Sequence, residues 1–369
     1  MRKGSKMVEN DRRIILEDGS AFDGVGFGAE VDRVCEVVFN TSMVGYQEIV
    51  SDPSYAYQAV VMTYPLIGNY GMADDDYEAR VPTVGALVVR ECCDEPSNFR
   101  SADSLSAVMR RCGIPGVAGV DTRMLARSIR DGGSRRALIT KASTSIEEGL
   151  AIIAETPVPV DAVSASSRKE PHVYRAARER YHVVAIDCGM KANIARSLAA
   201  RGCRVSAVPW NTDAEDILRL GPDGVLVSNG PGDPADVPEV AATVGSLIGK
   251  VPIFGICLGH QIIARAYGAR TYKLKFGHRG GNHPVRNLLT GRVEMTSQNH
   301  SYAVDEDSLA SSPLAVTHVN LLDGTVEGLR CERDRVMTAQ YHPESAPGPQ
   351  DNAYLFDSFV EMMEEARHA

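Results

Sequence analysis

One stretch of the chain has residue types and spacing suited to covalent chemistry: Val251-Pro-Ile-Phe-Gly-Ile-Cys-Leu-Gly-His-Gln261. An apolar run of strand type turns there into a helical segment, with one cysteine at the corner. Glycines flank it as Gly255-x-Cys257-x-Gly259, the spacing of a nucleophile elbow, in which a tight strand-to-helix turn presents the central side chain. The nucleophile would be sulfur. A free thiol of pKa about 8.5 is only a few per cent thiolate at neutral pH, whereas a helix N-terminus and a neighbouring imidazolium lower that value to roughly 3.5–7.5. A lone cysteine in an α/β chain otherwise reads as a small buried hydrophobe. The paired glycines and the His260-Gln261 that follow favour the nucleophile.

Such a thiol needs a base, and the base needs an orienting partner. The histidines to choose from are His260, His278, His283, His300, His318 and His342. His260 lies on the elbow helix just past Leu258, where its side chain is expected to point away from the crevice. His342-Pro-Glu344 fits better, because it follows the strand-like Val336–Tyr341. Residues two apart in an extended chain project to one side, so Glu344 can reach the His342 ring and hold its tautomer. Taken alone, His-Pro-Glu also reads as a surface turn without function. The Asn229-Gly-Pro-Gly-Asp-Pro234 loop lacks phosphate-loop spacing, and no GxxxxGK[ST] occurs in the chain, so nucleotide binding is unsupported. A glycine loop beside a nucleophile can aim a backbone N–H at an oxyanion. With the N–H of Leu258 it would make a two-donor hole, each donor worth about 3 kcal/mol of barrier; a plain tight turn is the alternative.

From His182 the chain alternates strand and helix: strands His182–Asp187, Cys203–Val208 and Gly224–Ser228, then the elbow strand, with helices Lys191–Ala200, Ala214–Arg219 and Pro238–Ile248 between them. This rhythm predicts an α/β fold with an open, mostly parallel sheet and flanking helices over 182–369. In such a sheet ligands bind beyond the carboxyl ends of the strands, which places the Asn229–Pro234 loop and Cys257 on one crevice. Residues 1–155 read as a separate β-rich α/β domain, with strand-like runs at Ile14–Gly19, Gly24–Gly28, Cys35–Asn40, Ala59–Tyr64 and Gly85–Val89. Helices are expected over Leu105–Cys112 and after Asp121, a plausible N-cap. The polar Phe39–Tyr55 segment reads as a loop with exposed hydroxyls. Gly24-x-Gly26-x-Gly28 lacks the GxGxxG spacing, and no helix follows it. The Pro-, Ser- and charge-rich stretch 156–181 reads as a linker.

The length of 369 residues, with 44% hydrophobic content, suits two domains with buried cores. A net charge of −9 argues against nucleic acid or an anionic membrane surface as the main partner. The basic N-terminus is followed by charged residues rather than an apolar run, so no secretory signal is visible, and Met7 is a second candidate start. No apolar run approaches a membrane span. The eight cysteines form no CxxC pair and no metal-ligand rhythm, so no metal is expected and a reducing cytoplasm is.

Phe254–Gln261, Ser228–Pro234 and His342-Pro-Glu344 resemble the three signatures of the class I, or triad, glutamine amidotransferases. Phe39–Ile49 with Ser51–Tyr55, Lys275–Pro284 and Ser297–His300 narrow this to a resemblance to the small, glutamine-hydrolysing subunits of carbamoyl-phosphate synthase, over nearly the whole chain. The resemblance implies that Cys257 attacks the glutamine side-chain amide, that His342 accepts and then donates a proton, and that Glu344 orients His342. It implies that Gly230, Gly232, Leu258, Gln261, Asn299, Ser301 and Tyr302 hold the substrate, with Ser54 reaching in from the N-terminal domain. It also implies a role in arginine and pyrimidine biosynthesis and a large partner subunit. That subunit would use ATP and Mg to make carboxyphosphate and receive the ammonia through a tunnel, while this chain holds no cofactor. One position departs from the family, which commonly reads Gln-Asn-His-Gly-Phe where this chain has Gln298-Asn-His-Ser-Tyr302. A positive φ at Ser301 would cost about 1–2 kcal/mol. Two other readings remain: a free-standing cysteine hydrolase on the same fold, and a catalytically retired binding subunit.

Overall fold

The computed structural model describes residues 10–368; the basic N-terminal stretch with Met7 lies outside the described residues. The chain divides into two compact units. The first takes the residues up to Ser51 together with Tyr57–Pro159, and the second takes Asp52–Ala56 together with the chain from Val160 onward.

In the first unit the strands are β1 (Arg12–Leu16), β2 (Ala21–Gly28), β3 (Arg33–Asn40), β4 (Gln58–Met62), β5 (Leu66–Ile67), β6 (Ala86–Val88), β7 (Glu91–Cys92), β8 (Pro115–Ala118) and β9 (Arg135–Lys141). All but β5 and β7 close into a barrel in the order β1-β2-β8-β6-β4-β3-β9. Closure follows because β9 pairs with both β1 and β3, which leaves the barrel no free edge. Fully buried Val38, Val60, Leu87 and Ile139 belong to its core. Asp121 caps the helix Thr122–Gly132 by accepting the Met124 N–H at 2.9 Å.

The expected Phe39–Tyr55 loop is corrected here. Helix Tyr46–Ser51 forms within it and buries Tyr46, Gln47, Ile49, Val50 and Ser51. The Gln47 amide satisfies itself on the main chain of Ala73, donating from Nε2 to the carbonyl and accepting the N–H at 2.8 Å. A polar run reads as exposed until a distant peptide supplies such partners.

The stretch 156–181 also carries structure, with a helix at Ala162–Ser166 and strand β10 (His172–Tyr174). The remaining strands are β11 (Tyr181–Asp187), β12 (Cys203–Pro209), β13 (Gly224–Val227), β14 (Ile253–Ile256), β15 (Thr271–Asn287), β16 (Val293–Val304), β17 (Ala315–Asn320), β18 (Val326–Cys331) and β19 (Val336–Ala339). With β10 they form one sheet in the order β10-β12-β11-β13-β14-β19-β18-β17-β15-β16. From β12 to β19 along this order the pairings are parallel, and beyond β19 the sheet continues as antiparallel hairpins.

The parallel strands are buried on both faces, which explains their near-continuous apolar reading. Along β11, Val184 and Ile186 pack in one core with Val244 of helix Pro238–Leu247 and Ile262 of helix Leu258–Ala266. Val183 and Ala185 enter the opposite core with Ile194 of helix Ala192–Ala200 and with Phe254, Phe356 and Phe359. Burying a Val, Ile or Phe side chain stabilises by about 1.5–3 kcal/mol, so these two layers hold the carboxyl ends of the strands in register. The chain leaves β11 toward β12 on one side and returns to β13 on the other, so a switch-point crevice opens at those ends. Among the described residues no helix is long and apolar enough to cross a membrane.

Candidate active site

Cys257 stands between β14 and helix Leu258–Ala266 with φ 53° and ψ −103°, a left-handed φ that a side-chain-bearing residue seldom adopts. Such strain costs on the order of 1–3 kcal/mol and persists only where the surroundings over-determine it. Here the Cys257 N–H donates to Ala339 O at 2.8 Å, and the chain on both sides is pressed close. A Cβ on Gly259 would lie 2.1 Å from Val227 O, and one on Gly255 would lie 2.7 Å from Gly259 O. Gly259→Ala is therefore expected to destabilise the protein by about 1–3 kcal/mol or more, read as a lower denaturation midpoint in urea. An unchanged midpoint would mean that the elbow does not need that close approach.

His342 and Glu344 follow β19, so they emerge at the same end of the sheet as Cys257. The His342 N–H is tied to Ser297 O of β16 at 2.8 Å. Its ring Nδ1 lies 2.7 Å from Glu344 Oε1, and the same carboxylate oxygen is 2.8 Å from Lys191 Nζ. All three side chains are buried, the exposures being 2%, 0% and 3%. Burial opposes charge on the imidazole, but the Glu344 carboxylate and the sulfur of Cys257 overcome it and raise the His342 pKa, with Lys191 pulling the other way. Glu344 is held below the usual carboxylate range, because Lys191 and then His342 outweigh its burial. His342 Nε2 is buried and completes no hydrogen bond. The Cys257 thiol meanwhile donates to Asn299 O at 3.5 Å.

The glycine loop sits directly against the elbow. A Cβ on Gly230 would come 2.2 Å from Cys188 O and 2.9 Å from Leu258 Cδ2. Gly232 has φ 89°, and a Cβ there would meet Ala162 Cβ at 3.2 Å. Leu258 is buried and begins the helix, so its N–H has no intrahelical acceptor. Asn229 Nδ2 donates to Ser54 Oγ at 2.9 Å, and Asn299 Nδ2 donates to Asp52 Oδ2 at 3.1 Å. These bonds account for the inclusion of the Asp52–Ala56 segment in the second unit. Gln261 Nε2 donates to Tyr302 O at 2.8 Å and to Gln340 Oε1 at 2.9 Å. Ser301 lies on β16 without positive φ, so the expected strain is absent, and its Oγ accepts from Arg279.

Two further histidines are occupied elsewhere. His260 is fully buried with Nδ1 2.8 Å from Thr338 Oγ1, and burial lowers its pKa to about 3. His318 bonds Thr317 and Tyr354. Spacing missed Lys191, Asp52 and Asn229. Lys191 had one signal in the sequence: it closes the short turn that leaves β11 at the switch point, where a cation faces the crevice.

Residues 184–362 match the family described as Glutamine amidotransferase class-I, and residues 14–139 match the Carbamoyl-phosphate synthase small chain, CPSase domain. The chain is 51% identical over 352 residues to the carbamoyl phosphate synthase small chain of Fusobacterium nucleatum, covering 95% of this chain and 97% of that one. It is 52% identical to the small chain of Bacillus cereus, covering 96% of each. It is 50% identical to the pyrimidine-specific small chain of Halalkalibacterium halodurans, covering 97% of this chain and 98% of that one. Likeness over both units sets aside the free-standing hydrolase, which would have no use for the barrel unit. A strained thiol beside a buried His–Glu–Lys array, joined in one chain to this particular barrel domain, places the protein in the family of carbamoyl-phosphate synthase small chains, the glutamine-hydrolysing amidotransferase subunits of that ligase.

Proposed function

We propose that Cys257 is the nucleophile, His342 the proton carrier and Glu344 its orienting partner in hydrolysis of the L-glutamine side-chain amide. What carries the reading is His342 Nε2, a buried nitrogen without a completed hydrogen bond beside a cysteine held in a left-handed turn at a helix N-terminus. The sulfur, freed of its proton to His342, attacks the amide carbon, and the carbonyl π electrons pass to oxygen. The N–H of Leu258 and a backbone donor of the Gly230–Gly232 loop meet that oxyanion, each worth about 3 kcal/mol. His342 then protonates the leaving nitrogen, the C–N bond breaks, and ammonia departs from a glutamyl thioester. Water gives a proton to His342 as its oxygen bonds to the thioester carbon; the oxyanion then re-forms the carbonyl, the carbon–sulfur bond breaks, the sulfur takes the proton back from His342, and glutamate leaves.

Gly230, Gly232, Leu258, Gln261, Asn299, Ser301 and Tyr302 are proposed to hold the substrate with Ser54, whose hydroxyl is fixed by Asn229. Lys191 is a positioning residue, acting through Glu344 on the imidazole. Ammonia released into water at neutral pH is protonated and loses its nucleophilicity, so the product requires a shielded path to a second active site. We assign that site, with its ATP and Mg, to the large subunit, and place the complex in the cytoplasm.

Purified chain incubated with glutamine is expected to accumulate a thioester on Cys257 that hydroxylamine converts to γ-glutamyl hydroxamate. A glutamine-mimicking electrophile should label the same cysteine. Mass spectrometry that finds label spread over the other thiols, with Cys257 unmodified, would support the retired-scaffold reading instead.

A further inference from the structure

Lys275–Pro284 and Ser297–His300 carry three histidines that the reaction does not use. The antiparallel register of β15 and β16 sets His278 directly opposite His300, which puts the two imidazoles on one face with ring centres 4.9 Å apart. Glu327 reaches the same point from β18. One ligand-type atom from each of the three residues lies within 4.8 Å of the others, and all three residues are buried.

Hydrogen bonding determines which atoms face inward. His278 Nε2 is 2.8 Å from Asp323 Oδ2, so it carries the proton, and Nδ1, with Asn320 Nδ2 at 3.5 Å, turns its lone pair toward the space before Glu327 Oε1, 3.6 Å away. His300 Nδ1 is 2.8 Å from Tyr302 O, a group that only accepts, so Nδ1 carries the proton; Nε2 is 3.1 Å from the Gln298 side-chain amide, a bond that an ion would displace. A carboxylate or carbonyl behind the ring is the usual outer support of a metal-binding imidazole. Glu327 is 0% exposed, and while Oε1 accepts from Asn320 at 2.9 Å, Oε2 has no partner. Ligands about 2.0–2.2 Å from one ion stand roughly 3–3.5 Å apart, so a shift of up to about an ångström at each would complete the set.

We propose that His278, His300 and Glu327 bind a divalent first-row metal ion of the zinc type. Two imidazoles and a carboxylate suit such an ion better than magnesium or calcium, which prefer all-oxygen sites. The ion ties β15 and β16 to β18. It thereby fixes β16, which carries Asn299 and Tyr302 to the elbow. The linear spacing hides the site because its ligands come from three strands.

The full-length chain, exchanged into Co²⁺ and passed through gel filtration, is the test. The expected result is one ion per chain, with visible bands of a nitrogen- and oxygen-ligated ion and no thiolate charge-transfer band. Glu327→Gln is expected to weaken Co²⁺ binding by at least about 10-fold. Bands absent, bands of thiolate type, or equal binding in Glu327→Gln would overturn the site. Should that variant fail to fold, the Co²⁺ titration of the unaltered chain decides alone, since saturation without imidazole-type bands also overturns it.

Discussion

Cys257→Ser is expected to lower the rate of glutamate release from glutamine by at least about 10⁴-fold, because removing the nucleophile of a triad typically costs on the order of 10⁴–10⁶ in kcat. The hydroxyl is the smaller group and keeps the turn, so thermal stability should move little. What is lost is acidity. A serine hydroxyl is far harder to deprotonate than a thiol, and the imidazole that serves Cys257 is buried with a raised pKa. The partners that raise it are Glu344 and the Cys257 sulfur, and an alcohol oxygen in place of that sulfur gives up its proton to the ring far less readily. Glutamine should still bind, seen by calorimetry as a dissociation constant within a few-fold of the unaltered chain. Glutamate production at the unaltered rate would remove the sulfur from the mechanism, and with it the roles given to His342 and Glu344.

Lys191→Met should have the largest effect on stability. The variant leaves the Glu344 carboxylate in a dry site without its ammonium partner at 2.8 Å, and breaking a buried pair from one side typically costs about 3–5 kcal/mol. The pH dependence has a definite sign. Glu344 has its pKa lowered in the folded protein, so its contribution is present above the unfolded value of about 4.3 and lost as pH falls through the folded value. Without Lys191 that folded value rises, so acid should destabilise the variant beginning at a higher pH. His342 has its pKa raised, so its contribution is full below about 6.5 and lost as pH rises through the folded value. Lys191 opposes that rise, so its removal should carry the basic limb of the kcat profile further up. Urea melts and rate profiles over one pH series read both effects. Unmoved limbs together with unchanged stability would leave Lys191 a bystander.

What was legible in the chain was whatever lies close along it. Gly255, Cys257 and Gly259 declare the elbow because a strand-to-helix turn is a local event, and the backbone approach at Gly259 is one that only glycine allows. His342 and Glu344 are two residues apart, so their 2.7 Å contact could be read from spacing. The alternation after His182 announced a parallel sheet because strand and helix periodicities are local as well.

The tertiary structure alone decided what had to arrive from elsewhere. Lys191 pairs with Glu344 because β11 and β19 end on one side of the sheet, and Asp52 and Ser54 leave the unit of their sequence neighbours to bond Asn299 and Asn229. Helix Tyr46–Ser51 is buried because Ala73 receives the amide of Gln47, and His278 meets His300 and Glu327 through strand register. Propensity and spacing act over a few residues. Burial, desolvation and ion pairing act over ångströms, and only the folded backbone converts one distance into the other.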